Sequence, residues 1–142
     1  LKSDFVLAHY QLGNTKYKLN KFDESEICYQ NAISLKNNFL EAYINLARAQ
    51  RELRKFKEAE DNLRIAQKLN PDFLEVNVLL GLILFDRGEK WGMNLMRKHF
   101  GWYIKGFPEA RQFREKLVRA ESIKEMRNEL DRLIKLSEKI SN

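Results

Sequence analysis

The chain contains 142 residues, of which 44% are hydrophobic and 32% charged, a composition that allows one compact domain or one short repeat array with a continuous core. Its single cysteine, Cys28, excludes an internal disulfide and a cluster of cysteines around a metal ion. The net charge of +6 comes almost entirely from residues 88–142, where 13 Lys and Arg stand against 8 Asp and Glu, so an anionic partner would be sought there.

The sequence is expected to form long helices, none of which is long and apolar enough to span a membrane. Six glycines and two prolines are few breakers for a chain of this length. The most apolar stretch, residues 76–85, is about half as long as a transmembrane helix needs to be. Because the sequence begins with Leu1 and not with Met, we expect a processed product or an excised fragment, and no compartment is predicted.

Residues 6–39 and 40–73 are two copies of one unit. The segment 38–43 recurs as 72–77 and the segment 22–26 as 56–60, each at a shift of 34 residues. Apolar residues within each copy follow steps of three and four, and short polar bends divide each copy near its middle. Each unit is therefore predicted to be two helices joined by a bend.

This 34-residue unit resembles the tetratricopeptide repeat family. In the first helix, the Leu-Gly pair of the family pattern is met by Leu12 and Gly13, and in the next copy by Leu46 and Ala47. The slots for a small, a large and a small residue in the second helix are filled in both copies: Ser25, Tyr29 and Ala32, then Ala59, Leu63 and Ala66. The resemblance implies an all-α solenoid in which successive first helices line a concave groove that binds a partner protein.

A third, degenerate unit is expected over residues 74–100. Its first helix keeps Leu80 and Gly81, whereas Met93 and Phe100 replace the small residues of the second helix. A degenerate last unit is typical of the end of an array, which must not invite another repeat. A loop is predicted over residues 101–107.

Residues 108–142 are predicted to form a long C-terminal helix, or a pair of helices, that caps the array. An apolar stripe runs from Phe113 to Ile140 at steps of three and four with no helix breaker, which favours one long helix. Ser122 followed by Glu125 is instead typical of a helix start, which would bend the segment near residue 121. The same stripe is compatible with a seam for self-association.

The resemblance also implies which residues line the groove. They are spaced along the first helix of each unit and comprise Tyr10, Asn14, Tyr17, Asn45, Arg48, Arg51, Val78, Leu79, Leu82 and Phe85. Asn14 and Asn45 match the two asparagines of the carboxylate clamp that grips chaperone tails. Tyr10, Glu75 and Leu79 occupy the cation slots of that clamp, so chaperone-tail binding is not expected.

The first helix of the third unit is apolar nearly all round. Val78, Leu79, Leu82 and Phe85 share one face while Leu80, Ile83 and Leu84 occupy others, so the helix must be covered on both sides. Either the C-terminal helix of the chain or an apolar element of a partner is expected to cover it.

No catalytic chemistry, metal or cofactor is predicted. His9 takes a packing slot, His99 lies near a predicted helix end, and neither has a ligand or catalytic partner at suitable spacing. The sequence therefore predicts a protein-interaction scaffold that binds a peptide or helix of another protein. The alternatives are an anionic-surface binder, for nucleic acid or membrane, through the basic aromatic stretch 97–105, and self-association through the C-terminal helix.

Overall fold

The computed structural model describes residues 2–88 and 109–141, and all regular structure in these residues is α-helical. The helices are α1 (Lys2–Lys18), α2 (Phe22–Leu35), α3 (Leu40–Glu52), α4 (Phe56–Leu69), α5 (Leu74–Arg87), α6 (Ala110–Arg119) and α7 (Ile123–Ser141). The predicted all-α class is confirmed. The chain divides into two compact units, Leu1–Pro71 and Asp72–Asn142.

The first unit consists of two helical hairpins, α1 with α2 and α3 with α4. The two bends between paired helices have the same geometry, 34 residues apart. Asn20 and Arg54 take the left-handed conformation at φ 60° and 61°. The following amides, of Lys21 and Lys55, donate to the carbonyls of Lys16 and Gln50 at 2.9 and 2.8 Å, as in a Schellman motif.

Within the first hairpin, α1 and α2 approach closely at Gly13. A Cβ atom at Gly13 would lie 2.7 Å from Cε1 of Tyr29. The hydroxyl of the buried Ser25 donates to the Gly13 carbonyl at 2.9 Å, a contact that a short side chain on α2 permits. The bulk of the tyrosine ring thus leaves no room for a side chain at position 13.

The two hairpins are joined through α2 and α3. Val6, Ala32, Phe39 and Ala42 form one buried cluster, against which Leu35 packs in a partly buried position. Near the other end of α2, Lys55 Nζ and the buried Glu26 carboxylate form an ion pair at 2.7 Å. The second hairpin therefore stacks on the first along the whole of α2.

In the second unit, α7 packs against α5 and α6. The residues of α5 from Val76 to Phe85 are buried, and so are Met126 and Leu133 of α7. Arg127 of α7 stacks over the Phe85 ring at 5.1 Å and bonds to the Asp86 carboxylate. The C-terminal part of the chain thus supplies cover for the apolar α5.

The expected single long C-terminal helix is wrong, because α6 and α7 are separated at residues 120–122. The amide of Glu125 donates to the Ser122 hydroxyl at 3.2 Å, and the Glu125 carboxylate accepts from the Glu121 amide at 2.9 Å. These bonds satisfy backbone donors at the start of α7, which a continuous helix would have paired internally. The helix-pair alternative is the one observed.

Several expectations fall outside the described residues. They concern the second helix of the third unit, the loop at residues 101–107, and the basic stretch 97–105 with His99. Among the helices of residues 2–88 and 109–141, none is both long and apolar enough to pass through a bilayer.

Candidate partner-binding face

Two first helices, α1 and α3, bring four of the predicted groove residues together in the first unit. Nδ2 of Asn45 donates to the Tyr10 hydroxyl and to Oδ1 of Asn14, both at 3.1 Å. Oδ1 of Asn45 accepts from Nη1 of Arg48 at 3.2 Å. All four side chains are partly exposed, so we call this connected, solvent-reached set the polar network.

The hydrogen bonds of the polar network assign different roles to its two asparagines. Asn45 uses both N–H donors and its carbonyl oxygen inside the network, so it positions Tyr10 and Arg48. Asn14 uses its oxygen, which accepts from Asn45 and from Tyr29, whereas its nitrogen donates no hydrogen bond to another residue within 2–88 and 109–141. Asn14 therefore retains the donor group that suits a peptide carbonyl.

Tyr29 is a member of this site that the sequence did not identify. It is 1% exposed, and its hydroxyl donates to Oδ1 of Asn14 at 2.5 Å. Burial raises the pKa of Tyr29 to about 12, since ionisation would place a charge away from water. The available signal was chemical: the first repeat carries a tyrosine where the second carries Leu63, and a hydroxyl in a packing slot needs a partner.

Aromatic rings flank the polar network. The Tyr10 ring lies 4.7 Å from that of Phe39 and 6.0 Å from that of Tyr29, which fixes its position between the hairpins. Tyr17, three residues after Asn14, meets Phe22 edge to face at 5.2 Å. Arg51 lies one turn beyond Arg48 on α3 and is partly exposed.

The apolar half of the expected groove lies in the second unit and is not open. Val78, Leu79, Leu82 and Phe85 are between 0 and 2% exposed. Their helix, α5, is packed against α7. Of the two expected ways to cover α5, the structure therefore shows the one that uses the C-terminal helix of the chain itself. We therefore restrict the candidate face to the residues of α1 and α3.

Metal and histidine chemistry add nothing to this face. No group of His, Cys, Asp and Glu that is able to hold a metal ion occurs among residues 2–88 and 109–141. His9 is partly buried on α1, in the packing slot that its position in the repeat predicts.

Comparison with protein families gives two matches, both to tetratricopeptide repeat models. They cover residues 6–39 and 40–73, the two copies that the internal period defines. Residues 6–73 are two repeats of the tetratricopeptide repeat family. The family pattern places small residues where α1 meets α2 and α3 meets α4, which agrees with the close approach seen at Gly13.

Three solved tetratricopeptide domains are similar to the chain. The first domain of Spaghetti (RPAP3), bound to the HSP90 peptide SRMEEVD, is 22% identical, with a TM-score of 0.69 over 82% of this chain and 93% of that chain. The Arabidopsis OM64 domain is 19% identical, with a TM-score of 0.68 over 84% and 98%. The second domain of human RPAP3, with the HSP70 peptide SGPTIEEVD, is 19% identical, with a TM-score of 0.69 over 84% and 100%.

At these identities the likeness establishes the tetratricopeptide fold. No curated protein matches the chain in sequence.

Proposed function

We propose that the chain is a protein-interaction scaffold that holds a peptide or helix of a partner protein against α1 and α3. The observation that carries the proposal is the polar network of Tyr10, Asn14, Asn45 and Arg48, which is ordered by hydrogen bonds and reached by solvent. Groups held in place before binding lose little entropy when a ligand arrives. The similar domains of Spaghetti and human RPAP3, solved with peptides, support the choice of ligand class.

The charges of this face favour an internal acidic segment over a free C-terminus. The carboxylate-clamp positions that would hold cations carry Tyr10, Glu75 and Leu79, so a terminal carboxylate lacks its charge-assisted hydrogen bonds. Arg48 and Arg51 are cations one turn apart on α3, at the spacing where side chains share a helix face. The proposed ligand therefore offers an acidic side chain to this pair and a backbone carbonyl to Asn14.

The proposal assigns no catalytic step to the chain, and it sets the other two alternatives aside. Self-association through the C-terminal helix would need the apolar face of α7, but Met126 and Leu133 are already buried in the second unit. For nucleic acid or membrane contact, the basic aromatic stretch 97–105 is outside the described residues, and no observation on the described residues favours it.

Charge reversal tests the face directly. The double variant Arg48→Glu/Arg51→Glu is expected to lose a partner that the wild-type chain captures, because it repels an acidic side chain where the wild type attracts it. The measurement is affinity capture with quantitative mass spectrometry, with helicity checked by circular dichroism. Arg64→Glu is the matched control, since Arg64 lies exposed on the second helix of its repeat.

Equal capture by the wild type and the double variant would remove the face from consideration. A separate titration with the peptide SRMEEVD, free or amidated at its C-terminus, tests the ligand class. We expect no preference for the free acid, and a preference of tenfold or more for it would refute the internal-segment assignment.

A further inference from the structure

The hydrogen bonds of the polar network run in one direction, which begins at Arg48. A guanidinium has N–H donors and no acceptor, so the atom of Asn45 that Arg48 meets at 3.2 Å has to be the oxygen. The nitrogen of Asn45 therefore lies on the other side of the amide, where it donates to Tyr10 and Asn14, both at 3.1 Å. Arg48 thus determines the orientation of the Asn45 amide.

The orientation of Asn14 is determined from two sides. The atom of Asn14 that faces the nitrogen of Asn45 has to accept, so it is Oδ1. The hydroxyl of Tyr29, which is 1% exposed, donates to the same oxygen at 2.5 Å. Two donors therefore meet the oxygen of Asn14, and its nitrogen lies at the opposite side of the planar amide.

The network leaves two donor groups for a ligand. Within residues 2–88 and 109–141, neither the nitrogen of Asn14 nor the hydroxyl hydrogen of Tyr10 meets an acceptor. Both side chains are partly exposed. Because the nitrogen of Asn45 bonds to both of their oxygens, these oxygens are no more than about 6 Å apart. One short peptide segment can therefore reach both groups.

We propose that Arg48 and Tyr29 are positioning residues, which orient Asn45 and Asn14 so that the face presents donors to the acceptor atoms of a ligand. Selection by these donors rests on the proposed function and deepens it, because it specifies carbonyl and carboxylate oxygens as the groups that bind at Asn14. A network with the opposite direction would turn the oxygen of Asn14 outward, and the face would then favour N–H groups.

Either positioning residue is sufficient to hold this direction. Without the guanidinium of Arg48, Asn45 can turn only together with Asn14, and that turn takes from the Tyr29 hydroxyl the acceptor it now has. Without the hydroxyl of Tyr29, Arg48 still holds Asn45, and a turned Asn14 would set N–H against N–H. The network becomes reversible only when both residues are replaced.

Hydrogen exchange of the side-chain amides, measured by NMR, tests the direction without a ligand. Both N–H groups of Asn45 are hydrogen-bonded within the network and those of Asn14 are not, so the Asn45 groups are expected to exchange about tenfold more slowly. Tyr29→Phe and Arg48→Met are each expected to keep this order. The double variant is expected to bring the two rates within about threefold of each other.

The double variant Tyr43→Phe/Arg51→Met is the matched control. It removes a hydroxyl that donates to the Asn37 carbonyl at 2.8 Å and the cation one turn beyond Arg48 on α3, neither of which belongs to the polar network. The wild-type order of rates is expected in this control. Equal rates in the wild type would overturn the direction, and an order that survives the loss of both Tyr29 and Arg48 would show that other groups set it.

The amidated peptide SRMEEVD tests the consequence for binding. Asn14→Asp keeps an acceptor for Asn45 and Tyr29 but replaces the N–H donors by a charged oxygen, so it is expected to weaken binding at least about tenfold. Asn31→Asp brings the same charge to an exposed position of α2 and is expected to bind like the wild type. Isothermal titration calorimetry measures the Kd of each.

Two results would separate donor selection from the proposed function. Equal binding by the wild type and Asn14→Asp, with binding lost in Arg48→Glu/Arg51→Glu, would overturn selection at Asn14 and leave the proposed function in place. A wild type that does not bind the peptide below about 1 mM would remove this ligand class from the proposed function, while the exchange rates would still decide the direction of the network.

Discussion

The first and second repeats have the same backbone arrangement, but different side chains fill the contact between their paired helices. The first combines Gly13 with Tyr29, and the second combines Ala47 with Leu63 at the equivalent positions. Ala47 and Leu63 are both fully buried, and Tyr29 is 1% exposed, so each pair fills its gap. The repeat pattern thus conserves the sum of the two side-chain volumes more closely than either residue.

The difference between the pairs has a consequence for binding. A leucine at position 63 only packs, whereas the tyrosine at position 29 also sends its hydroxyl to Asn14 and so ties the repeat core to the polar network. The first repeat therefore links stability to the candidate partner-binding face, and the second contributes Asn45 and Arg48 without such a link. Three predictions separate the two repeats.

Truncation of the large residue in the second repeat is expected to have the largest effect. Leu63→Ala removes a fully buried side chain beside Ala47 and should lower the free energy of unfolding by about 3 kcal/mol. Urea denaturation followed by circular dichroism measures it. Ile65→Ala, on the same helix but 41% exposed, is the control and should cost less than about 1 kcal/mol. Equal costs would mean that Leu63 does not fill the contact as described.

The glycine of the first repeat provides the next test. Gly13→Ala should destabilise the chain by about 1–2 kcal/mol, because its Cβ would stand 2.7 Å from the Tyr29 ring, even though alanine favours a helix by about 1 kcal/mol. Adding Tyr29→Leu recreates the pair of the second repeat. The double variant is therefore expected to cost at least about 1 kcal/mol less than the sum of the single variants.

Urea denaturation of the wild type, the two single variants and the double variant gives the coupling free energy between positions 13 and 29. Ala47→Gly is the control in the second repeat, where it removes a buried methyl without a clash and should cost about 1–2 kcal/mol from lost helix propensity and lost packing together. A Gly13→Ala variant more stable than wild type would show that the Tyr29 ring yields without cost.

The period explains how much of the first unit was predictable. Apolar spacing, the bends near Asn20 and Arg54, and the pattern at Leu12 and Gly13 are local features, and each repeats after 34 residues. Two copies of the same local signal predict four helices and their pairing. The hydroxyl of Tyr29 was not predicted to bond to Asn14, because that contact depends on the depth at which α2 seats against α1.

The second unit was less predictable for physical reasons. The apolar stripe from Phe113 to Ile140 keeps helical spacing through residues 120–122, so periodicity does not reveal the break there. The break is set instead by the hydrogen bonds that the side chains of Ser122 and Glu125 accept from backbone amides. Whether Val78 and Leu79 face a partner depends on α7, about 45 residues further along the chain, and family position alone does not determine that.

The smallest expected effect isolates the hydroxyl that links the core to the polar network. Tyr29→Phe removes one of two donors to Oδ1 of Asn14 and should cost about 1 kcal/mol at pH 7. Ionisation adds a test with a defined sign. The folded-state pKa of about 12 exceeds the value near 10 of an exposed tyrosine, so the folded chain holds this proton more tightly than the unfolded chain does.

The stabilising effect of that proton is complete below pH 10 and is lost as the pH rises through 12. The advantage of the wild type over Tyr29→Phe should accordingly shrink between pH 10 and pH 12 in urea titrations. An advantage that stays constant across this range would mean that the Tyr29 hydroxyl is open to water. The first repeat would then lack the coupling between its core and its polar network that distinguishes it from the second.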